Sequence, residues 1–172
     1  MKVKGNSIYF IKKFIVETYG HDFYDRIIQD ARNKQILEAP IISSEWYGLD
    51  VKQDLCERLY ANVTKEEFKK CSRYEVEHQV KGLIKFIMTK LSLQFLISNL
   101  QMVWEKHFSG GKIAGKMDGD QIIIDISEFP GSEPFMLHIE TYIKSMFELV
   151  TKKTYKSQRE KIDGSTWKIT LK

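Results

Sequence analysis

Apolar residues recur every three or four positions from residue 7 to about residue 108, and beyond Ser109-Gly-Gly111 the recurrence shortens to alternation. The first half of that pattern predicts helices. Residues 7–19 place Ile8, Ile11, Phe14, Ile15 and Tyr19 on one face, with Asn6 or Ser7 as the cap and Gly20 as the stop. Asp22 would cap a second short helix that buries Phe23, Tyr24, Ile27 and Ile28, and residues 29–35 fit a turn or a short third helix. Pro40 to Gly48 has turn chemistry at both ends and reads as an ordered connector pinned by Trp46. Residues 50–60 put Val51, Leu55 and Leu59 on one face, and Thr64-Lys-Glu-Glu67 is a capping box that opens the next helix. Two long helices follow, 65–88 and 92–108. The second carries Leu93, Leu96, Ile97, Leu100, Val103, Trp104 and His107 in one stripe, widened by Phe95 and Met102, and is predicted to be the central helix.

The remainder alternates strands with one helix. Asp118-Gly119 between residues 112–117 and 121–126 is a strong hairpin signal, and Ile122 to Ile124 is β-branched. After a loop at 130–134, residues 135–150 recover a helical stripe through Met136, Ile139, Ile143, Met146, Phe147 and Val150. Residues 153–161 and 166–171 around Asp163-Gly164 close the chain as a second hairpin. The expected fold class is therefore α+β, a helical N-terminal two-thirds followed by ββαββ with a small antiparallel sheet. At 172 residues the expectation is one domain over 1–172, with an N-terminal helical subdomain at 1–64 and the central helices plus ββαββ at 65–172.

Composition narrows the partners. A chain that is 42% hydrophobic with 10 Gly and 3 Pro is not disordered or repetitive. Its net charge of +4 is too small to imply a specific nucleic-acid partner. The charge is uneven: residues 144–172 hold eight basic side chains against three acidic ones. Lysines guarding sheet edges explain this, and the alternative is a basic docking face made of Lys152, Lys153, Lys156, Arg159, Lys161 and Lys168. Lys2, Lys4, Lys12 and Lys13 break any leader-like apolar run, which points to a cytoplasmic protein. The most apolar stretch, 83–104, is interrupted by Lys85, Lys90, Gln94, Ser98, Asn99 and Gln101, so it predicts two buried core helices and no membrane span.

Candidate chemistry is sparse. His21, His78, His107 and His138 lack zinc-ligand spacing, and Cys56 and Cys71 lack the paired spacing of a metal knuckle, so no metal is expected and both thiols read as reduced and buried. No nucleophile elbow, phosphate loop or dinucleotide fingerprint occurs. Asp118, Asp120 and Asp125 include two residues that a hairpin turn explains. No catalytic residue is assigned, and the chain reads as non-enzymatic. His107 sits on the apolar stripe as a core or capping histidine, with axial haem ligation as the alternative.

Four segments, Val3-Lys-Gly-Asn-Ser7, Phe14 to Gly20, Ser44-Glu-Trp-Tyr-Gly48 and Val103 to Gly111, resemble an uncharacterised domain family abundant in myxobacteria. That family is similar to the haem nitric oxide/oxygen binding domains and, more distantly, to the 4-vinyl reductase and transport-protein-particle domains. The resemblance spans almost the whole chain. The haem-binding relatives carry a proximal histidine about two and a half turns ahead of the closing glycine, which falls here on Gln101, a poor haem ligand. Their Tyr-x-Ser-x-Arg signature should lie within residues 124–133, where no Arg occurs. The resemblance thus implies the fold without the cofactor. It implies a haem-free sensor or interaction domain in bacterial signalling, taking a small apolar ligand or a signalling protein partner between the N-terminal helices and the central helix. Phe10, Phe14, Leu96, Leu100, Gln101, Trp104 and Phe147 are the expected pocket lining. The alternatives are a gas sensor that binds haem through His78 or His107, an acyl-binding scaffold using Cys56 or Cys71, and an enzyme akin to the vinyl reductases, for which no constellation exists. Edge strands and helices leave a homodimer open.

Overall fold

In the computed structural model, residues 1–79 and 92–172 are described. Helix α1 (Gly5–Tyr19) starts earlier than the spacing predicts: Lys4 is its N-cap, and neither Asn6 nor Ser7 caps it. Ser7 lies inside the helix and is buried. Gly20, at φ 87°, ends α1, and α2 (His21–Ile28) follows from that glycine and not from Asp22. Helix α2 buries Tyr24, Ile27 and Ile28, and α3 (Lys34–Glu38) buries Leu37.

The connector ends in a strand. β2 (Trp46–Gly48) pairs antiparallel with β1 (Lys2–Lys4). Three-residue strands hold too few positions to display a period of two, so this sheet is silent in the sequence pattern. Trp46 does not pin the connector. Its ring is 40% exposed, with the Lys4 ammonium 4.5 Å above it. The Tyr47 hydroxyl accepts from the Ile42 N–H at 2.9 Å instead. Gly5 completes the junction, because a Cβ there would lie 2.2 Å from the Ile42 carbonyl oxygen.

Helix α4 (Leu49–Asn62) leads into the capping box of α5 (Lys65–Gln79), where Glu67 Oε2 accepts from the Thr64 N–H at 2.9 Å and the Glu67 N–H donates to Thr64 Oγ1 at 3.3 Å. The expected continuation of this helix to residue 88, and the start of the apolar stretch, lie outside the described residues. The helix expected over 92–108 is broken in two, α6 (Leu93–Ser98) and α7 (Leu100–Glu105). Asn99 makes the break: its amide donates to the Phe95 carbonyl at 2.8 Å while its backbone leaves helical angles. Phe95 and Met102 do not widen the buried stripe, being 47% and 50% exposed.

The second sheet orders β3 (Lys112–Asp118), β4 (Gln121–Ser127), β6 (Trp167–Leu171) and β5 (Ser157–Lys161), every neighbour antiparallel. Register joins Ile122 to Leu171, Ile124 to Ile169 and Ile126 to Trp167, so the buried positions of the two middle strands coincide. Helix α8 (Glu133–Thr151) carries Pro134 in its first turn and a left-handed Lys152 at its end. It packs against α4, α5, α6 and β5, which makes it, and not the segment 92–108, the central helix. The α+β class is as expected, and among the described residues no helix is long and apolar enough to cross a membrane.

Gly5→Ala should lower stability by about 1–3 kcal/mol through overpacking against a backbone oxygen that cannot step aside. A shift of the urea midpoint at constant slope checks it.

Candidate functional site

Four helices each bring polar side chains to one buried point: Ser7 from α1, Lys52 from α4, Ser72 and Glu75 from α5, and His138 from α8. Lys52 and Glu75 have side chains only 2% and 1% exposed, with Nζ 3.5 Å from Oε2. Lys52 also donates to Ser7 Oγ, which donates to Glu75 Oε1. The other Glu75 partners are His138 Nε2 at 2.7 Å on Oε2 and Gln79 Nε2 at 2.8 Å on Oε1. Ser72 Oγ lies 2.9 Å from His138 Nδ1, so an imidazole protonated on Nε2 donates to Glu75 and accepts from Ser72.

Burial acts to raise the Glu75 carboxyl, but Lys52, His138 and Ser7 outweigh it and hold it down at about 2. Burial, reinforced by Lys52, pushes His138 below the ordinary histidine value against the pull of Glu75. The cluster is therefore one cation and one carboxylate, with a neutral imidazole. The remaining side of the Lys52 ammonium faces aromatic rings, 5.8 Å from Phe108 and 5.7 Å from Phe135.

A cavity of roughly 30 Å³ adjoins this cluster. Leu100, Val103 and Trp104 of α7 and Ile139, Ile143 and Met146 of α8 form apolar walls, while Ser7, Lys52, Glu75, Tyr142 and His107 form a polar end. The Tyr142 hydroxyl donates to Gln79 Oε1 at 2.8 Å, which links it to Glu75 through the glutamine. Burial pushes the Tyr142 hydroxyl up and His107 down, with Glu75 opposing the shift of His107 and Lys52 adding to it. The His107 ring makes no hydrogen bond among the described residues and meets Tyr142 edge-on at 6.0 Å.

Of the seven expected lining residues, the structure brings Leu100 and Trp104 to this cavity. Phe10 and Phe14 pack instead beside α5, 6.0 Å from His78 and 5.5 Å from Tyr74 between ring centres. Leu96 and Phe147 are buried in the core. Gln101 is half-buried: its Oε1 accepts from the Ile113 N–H at 2.8 Å and its Nε2 donates to Glu105 at 2.9 Å, which ties α7 to strand β3. His78 is stacked on Tyr74 at 3.7 Å and bonded to the Tyr74 carbonyl at 2.8 Å.

Lys52, Glu75 and His138 escape a search for motifs. Their signal is a charge in phase with an apolar stripe, since Lys52 lies three and seven residues before Leu55 and Leu59, and Glu75 seven after Phe68.

Both cysteines are buried, and burial pushes the Cys56 thiol up to about 12 and Cys71 well above its ordinary value, so thiolate is scarce at either. On the basic strip, Arg159 is neutralised by Glu140 at 2.7 Å and Glu133 at 2.8 Å. Lys161 lies 5.2 Å from the Trp167 ring, and Lys168 sits in register between Asp125 and Glu160. Lys152, Lys153 and Lys156 are exposed. Among the described residues no three His, Cys, Asp or Glu side chains are grouped to hold a metal.

No family model matches the sequence, and no curated protein matches it. Solved structures do. The Fe(II) unliganded H-NOX protein from K. algicida superposes with a TM-score of 0.70 at 14% identity, covering 98% of this chain and 95% of that one. An H-NOX protein from S. oneidensis in the Fe(II)NO ligation state gives 0.68 at 10% identity, covering 98% of both. A structure from work on haem distortion in the H-NOX family gives 0.69 at 15%, covering 98% and 94%. The chain therefore has the H-NOX fold over nearly its full length, as its sequence resemblance implies.

Lys52→Met should cost about 3–5 kcal/mol, because it strands the Glu75 carboxylate in the core. Lys52→Met with Glu75→Gln should recover most of that loss, as read by urea denaturation of both variants. The pH dependence has a defined sign. A carboxyl held at about 2 when folded contributes stability above its usual value near ~4.3, lost as pH falls toward 2. Histidines held low contribute stability above about 6.5 that is lost on acidification below it. The melting temperature should fall between pH 7 and 5, then fall again below pH ~4.5, and His138→Gln should shrink the first step.

Proposed function

We propose that this protein is a haem-free, non-enzymatic sensor or interaction domain that takes a small, mainly apolar molecule between α7 and α8, with a signalling protein as the downstream partner. The observation that carries this reading is the cavity, apolar on the α7 and α8 walls and polar only where Lys52, Glu75, Tyr142 and His107 meet it. Ligand sites in general are apolar clefts with a few placed polar groups.

Of the H-NOX structures that share the fold, one is described by its Fe(II) state and another by haem distortion, so haem is the cofactor whose fit matters. Three features of the described residues speak against it. A cavity of roughly 30 Å³ is an order of magnitude below the several hundred that a cofactor of that class needs. The amide of Gln101, where the relatives place the proximal histidine, is engaged by Ile113 and Glu105. No arginine occurs within residues 124–133. His107 alone favours the second reading, a haem sensor with a displaced ligand, because its imidazole faces the cavity.

Absorption spectra of the purified protein, before and after haem addition, separate the two. The expected outcome is no Soret band above that of free haem, together with a bare or small-molecule-bound mass by native mass spectrometry. A Soret band that His107→Phe abolishes would replace this reading with the haem sensor.

A further inference from the structure

We infer that the polar end of the cavity is a recognition point for the hydroxyl of a short, neutral, apolar molecule, an alcohol in chemical class, and that it excludes ions; this rests on the ligand-pocket reading above.

The charge balance sets the first requirement. Lys52 and Glu75 neutralise each other, so the pocket offers no net field to a charged guest. A carboxylate drawn to Lys52 would sit against Glu75, and an ammonium drawn to Glu75 would sit against Lys52. Either would also lose its hydration without a dedicated counter-ion.

Hydrogen-bond capacity sets the second. Glu75 is saturated: Oε1 accepts from Ser7 and Gln79, and Oε2 from His138 and Lys52. Among the described residues, the unspent capacity at the cavity lies elsewhere. Tyr142 has given its proton to Gln79 and keeps acceptor lone pairs. Lys52 spends two of its three protons on Ser7 and Glu75 and turns its remaining side to the Phe108 and Phe135 rings, so it adds no free donor. His107, neutral through burial, offers one donor and one acceptor. A hydroxyl, which donates once and accepts twice, matches this mixed set; a carbonyl leaves the Tyr142 lone pairs unmet, and a hydrocarbon leaves all of them unmet.

Size sets the third. Roughly 30 Å³ admits a water or a guest of two or three heavy atoms without rearrangement. A longer tail runs along the apolar walls, where Met146 is the side chain best able to yield.

The test is an NMR titration of the intact protein with four probes: xenon, 1-propanol, propionate and propylammonium. Xenon reads whether the cavity takes an apolar guest at all. The expected result is that xenon and 1-propanol both shift amides around Leu100, Trp104 and Ile139, with propanol saturating at about tenfold lower concentration than either ion. Tyr142→Phe and His107→Phe should each weaken propanol about five- to tenfold and leave xenon binding in place, and two positions guard against one variant that fails to fold. Xenon binding without preference for propanol over the ions overturns the head-group assignment and leaves the pocket reading standing. Failure of xenon and propanol alike overturns both.

Discussion

The Lys52–Glu75 ion pair constrains the helical half more than any apolar contact does. Withdrawing two charges from water costs several kcal/mol each, and the mutual attraction offsets that cost only when the surrounding donors and acceptors are all in place. Here they come from α1, α5 and α8 as well as from α4. Apolar attraction is non-directional, whereas a hydrogen bond to a buried carboxylate is bounded in distance and angle. Helices whose apolar faces would accept several packings are thereby held in one. The net contribution of such a buried pair to stability is small until one partner is removed.

The same pair lies in a fold shared with solved H-NOX structures. The solved H-NOX structures that superpose on this chain do so at 10–15% identity, so backbone geometry survives where side chains do not. Apolar side chains of α7 and α8 line the cavity beside the Lys52–Glu75 salt bridge. With Glu75 saturated and Lys52 lodged over Phe108 and Phe135, charge and volume there are provided by the protein itself.

Local signals in the sequence are accurate where one segment decides the outcome. The Thr64 and Glu67 capping box, the Asp118-Gly119 hairpin and the helix over 135–150 all form because their partners lie within a few residues. Where distant segments decide, the pattern misleads. β1 and β2 exist because Lys2 to Lys4 meet Trp46 to Gly48, and neither triplet has a period of its own. The helix over 92–108 breaks because Asn99 prefers a bond to its own preceding turn, a choice that a stripe of apolar residues conceals. The cluster is harder still. Ser7, Lys52, Glu75 and His138 are separated by dozens of residues, and each alone looks like a misplaced polar side chain; Leu100 and Trp104 were accessible because they share one stripe.

The amide of Gln101 also ties one wall of the cavity to the sheet. Strand β3 is a sheet edge, and an edge N–H seeks a partner. Gln101 supplies one to Ile113, which fastens α7 to the strand. Gly115 tightens the same contact, since a Cβ there would lie 2.6 Å from Leu100 Cδ1 and 3.3 Å from Ile97 Cγ2. The wall bearing Leu100 and Trp104 is thus bound to the sheet by a hydrogen bond and a close backbone approach. The opposite wall ends in Met146, unbranched and one turn beyond Tyr142. Met146 thus lies on α8, the helix that touches α4, α5, α6 and β5 at once.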